Sequence, residues 1–231
     1  MKNLEYEKAA GFPKTPVIGV DEVGRGCLAG PVVAAAVLAP QGFDFLSLGE
    51  WRKDITDSKL IKESRREELA QEILKSKLVS AIARASSTEI DQLNIHHATH
   101  LAMVRAVDEL RLKLAGQRAA LLVDGKFVPK AWVSEGSSGM QSRGSSLSPA
   151  KEWASVQAIV KGDQKSFLIA CASIIAKVSR DQEMAALEAR YPGYGLAVHK
   201  GYPTPQHRRA LQTLGVTEIH RRSFGPVAEL V

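Results

Sequence analysis

Short β-prone runs alternate along this chain with longer stretches patterned for helix, and that alternation leaves few folds open. Residues 17–23 read as a buried strand that closes on acidic residues. Gly24-Arg25-Gly26 reads as a turn and residues 31–38 as a second β-rich run, together a hairpin with a glycine-rich connection. Residues 62–77 combine helical spacing with dense charge, and 78–85 alternate like a strand. A long helix is expected over 88–114, with Asn94 as an internal cap or break. Residues 119–123 form another strand and close on Asp124, and a further strand is expected over 158–160. Residues 167–190 form a long helix, apolar first and charged later; 203–214 form a final one, stopped by Gly215. Strands interleaved with helices predict a layered α/β fold with antiparallel pairing at its start.

At 231 residues the chain fits one large domain, or one domain with a small appendage. It has 31 Lys and Arg against 25 Asp and Glu, a net charge of +6 that is compatible with a polyanionic partner but does not identify one. Cys27 and Cys171 form no CxxC pair, which argues against a zinc or redox motif and for two reduced, buried thiols. No run reaches the roughly 18 apolar residues of a membrane span. The charged N-terminus lacks the apolar core of a signal peptide, so a cytoplasmic protein is expected. Residues 134–150 are rich in Ser and Gly and read as a mobile surface loop.

Four acids sit where strands run out. Asp21 and Glu22 close the first strand, Asp124 closes another, and Asp163 follows Lys161-Gly162 after an apolar run. Acids after buried strands emerge at the sheet's edge, where loops build sites. Carboxylates converging there repel one another unless cations hold them, and hard oxygen ligands suit Mg²⁺ or Mn²⁺. Two such ions can stabilise the attacking and leaving oxygens of a phosphodiester displacement. Each acid alone can equally be a turn residue or helix cap, and spacing does not choose between the two. Other motifs carry less. Residues 24–29 satisfy the letter of a dinucleotide fingerprint, but Gly30-Pro31 and a β-prone run follow where a helix is required. His96 and His100 have helical metal-ligand spacing without the HExxH context, and a structural role is expected of them. The Ser-rich segment contains no nucleophile elbow.

Several segments, in order along nearly the whole chain, resemble the ribonuclease HII family, the bacterial type 2 ribonucleases H. They are Gly19-Val20-Asp21-Glu22-Val23-Gly24-Arg25-Gly26 with Ala29-Gly30-Pro31-Val32, Asp57-Ser58-Lys59, Glu89-Ile90-Asp91 with Leu93-Asn94-Ile95, and Val123-Asp124-Gly125. Lys161-Gly162-Asp163, the run from Ala172 through Asp181, His199-Lys200-Gly201-Tyr202-Pro203-Thr204 and His220-Arg221-Arg222-Ser223-Phe224 complete them.

The resemblance implies a ribonuclease H-like three-layer fold, a central mixed β-sheet flanked by helices. It implies a catalytic domain over 1–190 and a small helical, substrate-contacting C-terminal part over 191–231. It assigns Asp21, Glu22, Asp124 and Asp163 as catalytic, metal-holding carboxylates for two divalent ions, Mn²⁺ or Mg²⁺. It also assigns Gly24-Arg25-Gly26 and Tyr202 to the RNA–DNA step. Glycines let backbone approach a ribose, whose 2′-OH separates RNA from DNA. Lys59, Lys177, Arg180 and Lys200 are further candidates for phosphate or neighbouring contacts. The expected activity is hydrolysis of RNA in RNA–DNA hybrids and cleavage 5′ to ribonucleotides embedded in duplex DNA, leaving 3′-OH and 5′-phosphate ends. A monomer without a clear clamp-docking peptide is expected. Segment 134–150 reads as an insertion between the third and fourth acids. The glycine turn and Tyr202 argue against the main rival, a recombinase or junction nuclease. Retention of all four acids argues against a silent hybrid binder.

Overall fold

The computed structural model describes residues 4–134 and 150–231. Of the Ser/Gly-rich stretch 134–150 expected to be a mobile loop, residues 135–149 lie outside the described residues. Five strands, β1 (Val17–Val23), β2 (Val32–Ala39), β3 (Val79–Ala85), β4 (Ala119–Asp124) and β5 (Trp153–Ile159), pair in the order β3-β2-β1-β4-β5. The helices are α1 (Glu5–Ala9), α2 (Glu63–Lys75), α3 (Ser87–Arg111), α4 (Gly162–Lys165), α5 (Phe167–Arg190), α6 (Leu196–His199), α7 (Pro205–Leu214) and α8 (Gly225–Ala228).

The expected hairpin is present: β1 and β2 pair antiparallel from Val17↔Ala39 to Val23↔Val33. β3 adds antiparallel to β2, whereas β4 and β5 run parallel to β1. Side chains alternate across each strand, and both faces of the sheet are covered. Ile18, Val20, Leu121 and Val123 pack on the α3 side with Ala102, Met103 and Val107. Val17, Ala120 and Leu122 pack on the opposite side with Leu168, Cys171 and Ile175 of α5 and with Leu69 and Ile73 of α2. α5 lies so close to β1 that a Cβ on Gly19 would stand 2.3 Å from the Leu168 carbonyl carbon, so only glycine allows this contact.

Asn94 breaks α3 as expected. It sits at φ 66°, ψ 163°, and its side-chain oxygen accepts from His96 N and His97 N, so it caps the second half of the helix. The strand expected at 158–160 is corrected to Trp153–Ile159. It is an edge strand, and its partly solvated face puts Ser155 and Gln157 into the alternation, which hides the strand from an apolar-run criterion.

A third core lies off the sheet. Leu28 and Ala29, just past the glycine turn, pack with Met184, Tyr194, Leu196, Leu211 and Val227. Two fully buried arginines tie this region together. Arg180 of α5 donates to the carbonyls of Pro31, Ala29 and Lys200 at 3.1, 3.1 and 2.8 Å. Arg221 donates to the carbonyls of Gly30, Arg25 and Gly24 at 3.0, 2.8 and 2.7 Å. Burial lowers the Arg221 pKa to about 10, so it is still a cation at neutral pH. The connection between β1 and β2 is thereby held from below by two cations acting on its backbone.

Arg221→Met keeps side-chain length and removes all three donors. An unsatisfied buried acceptor costs about 1–3 kcal/mol. Urea denaturation of this variant is therefore expected to show a loss on the order of 2–4 kcal/mol. An unchanged midpoint would show that the turn does not depend on this clamp.

Candidate active site

The parallel pairing decides where the acids go. Val20 of β1 is level with Val123 of β4, so Asp21 and Asp124 follow at the same height on adjacent strands. Asp124 is itself paired with Ile159 of β5, and the chain after β5 turns through Lys161, in a left-handed conformation at φ 57°, into α4. By strand alternation Asp21 faces the α5 side and Glu22 the α3 side. Ligand oxygens of Asp21, Glu22 and Asp124 all lie within 4.8 Å of one another, the one such group of three or more potential metal ligands among the described residues. Asp163 is buried on α4, outside that group; its backbone N–H donates to Asp124, and its side chain neighbours Asp57.

The electrostatics are those of a site short of positive charge. Burial, followed by repulsion from Glu22 and Asp124, raises the Asp21 pKa well above the usual carboxylate range, and Ser173 and the Glu22 N–H only partly offset this. Burial also raises Glu22, which Arg25 opposes from 3.3 Å, and it raises Asp124. The Gly162 N–H donates to Asp124 Oδ1 at 2.6 Å, and Lys59 adds a favourable charge. Three hard, close-set, desolvated carboxylates with so little counter-charge fit a divalent cation such as Mg²⁺ or Mn²⁺.

The other predicted residues sit in several distinct environments. Gly24 is buried at φ 90°, and a Cβ there would meet Arg180 Nε at 2.1 Å. Gly26 is exposed, and a Cβ there would meet nothing within 4 Å. The two glycines therefore differ in kind: the first is required by the fold, and the second leaves open space beside the acids. Arg25 is exposed and reaches Glu22. Tyr202, 38% exposed, stands on the loop after α6. The Cys27 thiol lies between its hydroxyl and the Lys200 carbonyl, which joins that loop to the glycine turn. Lys59 is exposed next to Asp57, and Ser58 Oγ bonds Ser173 Oγ at 2.9 Å, the hydroxyl that also supports Asp21. Lys177 pairs with Asp181 at 2.8 Å and Lys200 with Glu63 at 3.9 Å. Arg180 is a structural clamp and not an exposed phosphate contact. His96 and His100 lie in ring contact beside Phe127. Ser173, Gly162 and Asp57 were given no role by sequence reasoning; they lie within the matching motifs, but their function is to orient other groups and has no chemical signature of its own.

A mixed β3-β2-β1-β4-β5 sheet between helices, with carboxylates at the ends of adjacent parallel strands, defines the ribonuclease H-like class. The family model described as Ribonuclease HII matches residues 18–227, and the chain belongs to that family. A Ribonuclease HII from Myxococcus xanthus is 45% identical over 216 residues, 93% of this chain, and the chain spans 63% of that relative's length. The crystal structure of ribonuclease H2 from Pyrococcus horikoshii OT3 is similar with a TM-score of 0.71 at 27% identity, covering 94% of this chain and 97% of the other. A ribonuclease HII from Archaeoglobus fulgidus, solved in complex with PCNA, gives a TM-score of 0.63 at 27% identity, covering 90% and 94%.

Carboxyls with raised pKa values take up protons on folding, so they destabilise the metal-free protein as pH rises through those values. Mg²⁺ or Mn²⁺ should raise the melting temperature at neutral pH, with a stabilisation of about 2.7 kcal/mol at a hundredfold excess over Kd. Asp124→Asn keeps the oxygen that accepts from Gly162 and removes one charge. Its metal-free melting temperature should equal or exceed that of the parent protein, and the metal-induced shift should shrink. An undiminished shift would place the cation elsewhere.

Proposed function

We propose that this chain is a divalent-metal-dependent endonuclease that hydrolyses the RNA strand of RNA–DNA hybrids and cuts 5′ to ribonucleotides embedded in duplex DNA, leaving 3′-OH and 5′-phosphate ends. The observation that carries this reading is adjacency. The only three-carboxylate cluster among the described residues is contiguous in sequence with a backbone turn open to solvent at Gly26. A sugar touching that turn lies next to the phosphate that the cluster addresses.

Asp21, Glu22 and Asp124 would hold the cations, with Asp163 completing the site from α4. When bound, a pair of such ions supplies charge to the attacking and leaving oxygens of the phosphodiester. The chain's own groups do the rest. Ser173 and the N–H groups of Glu22, Gly162 and Asp163 orient the carboxylates. Lys59, exposed and close enough to Asp124 to act on its charge, would take a phosphate oxygen. The Gly24 and Arg25 carbonyls are held by Arg221; the remaining backbone groups of Gly24-Arg25-Gly26 bond a ribose 2′-OH, and a deoxyribose leaves those unpaired. Tyr202 packs on the adjoining deoxyribose, where a 2′-OH fits poorly. On this reading residues 1–190 form the catalytic unit, and 191–231 supply the substrate-contacting part through Tyr202. Removal of ribonucleotides during DNA replication and repair is the role that fits.

The test is cleavage of three duplexes of one sequence: all-DNA, one embedded ribonucleotide, and a continuous RNA strand. The second and third should be cut and the first ignored. Survival of the single-ribonucleotide duplex would overturn the junction reading while leaving the carboxylate site standing. Gly26→Ala should keep its melting temperature and lose activity by about tenfold or more, because its methyl meets substrate and no protein atom. Gly24→Ala should lose stability as well, through its positive φ and Arg180. Equal melting losses in the two variants would refute the distinction.

A further inference from the structure

Behind Tyr202 lie three histidines, each no more than 8% exposed: His199, His207 and His220. His199 and His207 stack at 4.5 Å with planes 17° apart, and His207 Nε2 meets His220 Nε2 at 3.3 Å. Two backbone N–H groups settle every proton in this cluster. The Thr217 N–H, which can only donate, bonds His220 Nδ1 at 3.1 Å, so that nitrogen carries no hydrogen; the Thr217 hydroxyl, 2.8 Å from the same nitrogen, then donates to it as well, and a neutral His220 holds its proton on Nε2. His220 Nε2–H must then donate to His207 Nε2, which forces the His207 proton onto Nδ1. From there His207 donates to the Tyr202 carbonyl at 3.0 Å. Separately, the Gly201 N–H donates to His199 Nδ1 at 3.2 Å, so His199 Nε2–H donates to the Tyr194 carbonyl at 2.7 Å. An additional proton on His220 or His207 would set N–H against N–H. Burial already holds both below the ordinary histidine pKa, His220 down to about 4.

The Tyr202 peptide is thus fixed on both sides. Its N–H donates to the His199 carbonyl at 2.9 Å, and its carbonyl accepts from Thr204 N and from His207. We propose that His207 and His220 are positioning residues of the sugar-reading loop. They form a one-directional chain of neutral imidazoles, from Thr217 through His220 and His207 to the Tyr202 carbonyl, that sets where Tyr202 meets the substrate. This rests on the reading of Tyr202 as a sugar contact; the proton arrangement itself does not.

The experiment has two arms on the full chain. Long-range ¹H–¹⁵N spectra of ¹⁵N-histidine-labelled protein at neutral pH, assigned through the parent protein's own backbone and side-chain resonances, should show His207 as the Nδ1–H tautomer. His199 and His220 should appear as Nε2–H tautomers. An Nε2–H or doubly protonated His207 overturns the chain, and this arm holds even where a variant fails to fold. In the second arm kcat/KM is measured on the single-ribonucleotide duplex and on the continuous hybrid. His207→Leu removes the donor; His207→Asn puts an amide N–H where Nδ1 was. His207→Leu should lower the single-ribonucleotide value by about tenfold or more relative to the hybrid, and His207→Asn should restore the ratio to within about threefold. Equal loss on both substrates, or no rescue, overturns the positioning role. Tyr202→Ala, run alongside, separates the two ideas: if it leaves the ratio unchanged, the sugar reading fails, whatever the tautomers are.

Discussion

The parallel pairing of β1 with β4 is the constraint on which the site depends. It sets Asp21 beside Asp124, and the alternation of the strands turns both toward α5. On the other side of β1 the antiparallel β2 begins at Val32, and the connection leaves β1 at Val23, so the glycine turn begins within two residues of Glu22. Cluster and turn cannot be separated without breaking the central strand. Gly19 extends the same constraint to the helix layer: its missing Cβ brings α5 against β1, and α5 carries the Ser173 hydroxyl that supports Asp21.

Two opposed charge environments lie side by side. The carboxylates are close-set and desolvated, with Arg25 beside Glu22 and Lys59 near Asp124 as counter-charge. Under the adjoining turn, two buried guanidiniums each donate to three backbone carbonyl oxygens. Each arrangement has a different consequence. Carboxylates without enough cations leave a binding site for metal. Arginines satisfied by backbone give a rigid loop whose carbonyls are already committed, so what Gly26 presents to solvent is fixed in place before any substrate arrives.

Much of this was legible in the residues. The hairpin, the interruption at Asn94 and the long α5 follow from periodicity and capping, which are local properties. Strand β5 was read too short because an edge strand mixes polar residues into its exposed face. Asp21, Glu22 and Asp124 were visible as acids closing strands, and their meeting within 4.8 Å is what that position allows. Arg180 was read as a phosphate or neighbouring contact, and α5 delivers it, fully buried, to the carbonyls of the turn. A charged side chain reads the same in sequence whether it meets solvent or a buried carbonyl.

Sequence by itself determined the class of fold, the order of its elements and the residues able to bind a hard cation. Those follow from side-chain chemistry and from periods of about two and 3.6 residues. Tertiary structure alone decided which glycine is a packing requirement and which is an open face. It also set the proton direction through His220 and His207. These properties depend on what lies within a few ångströms across a fold that joins residue 24 to residue 180 and residue 202 to residue 220. No local pattern records the neighbours of such distant segments.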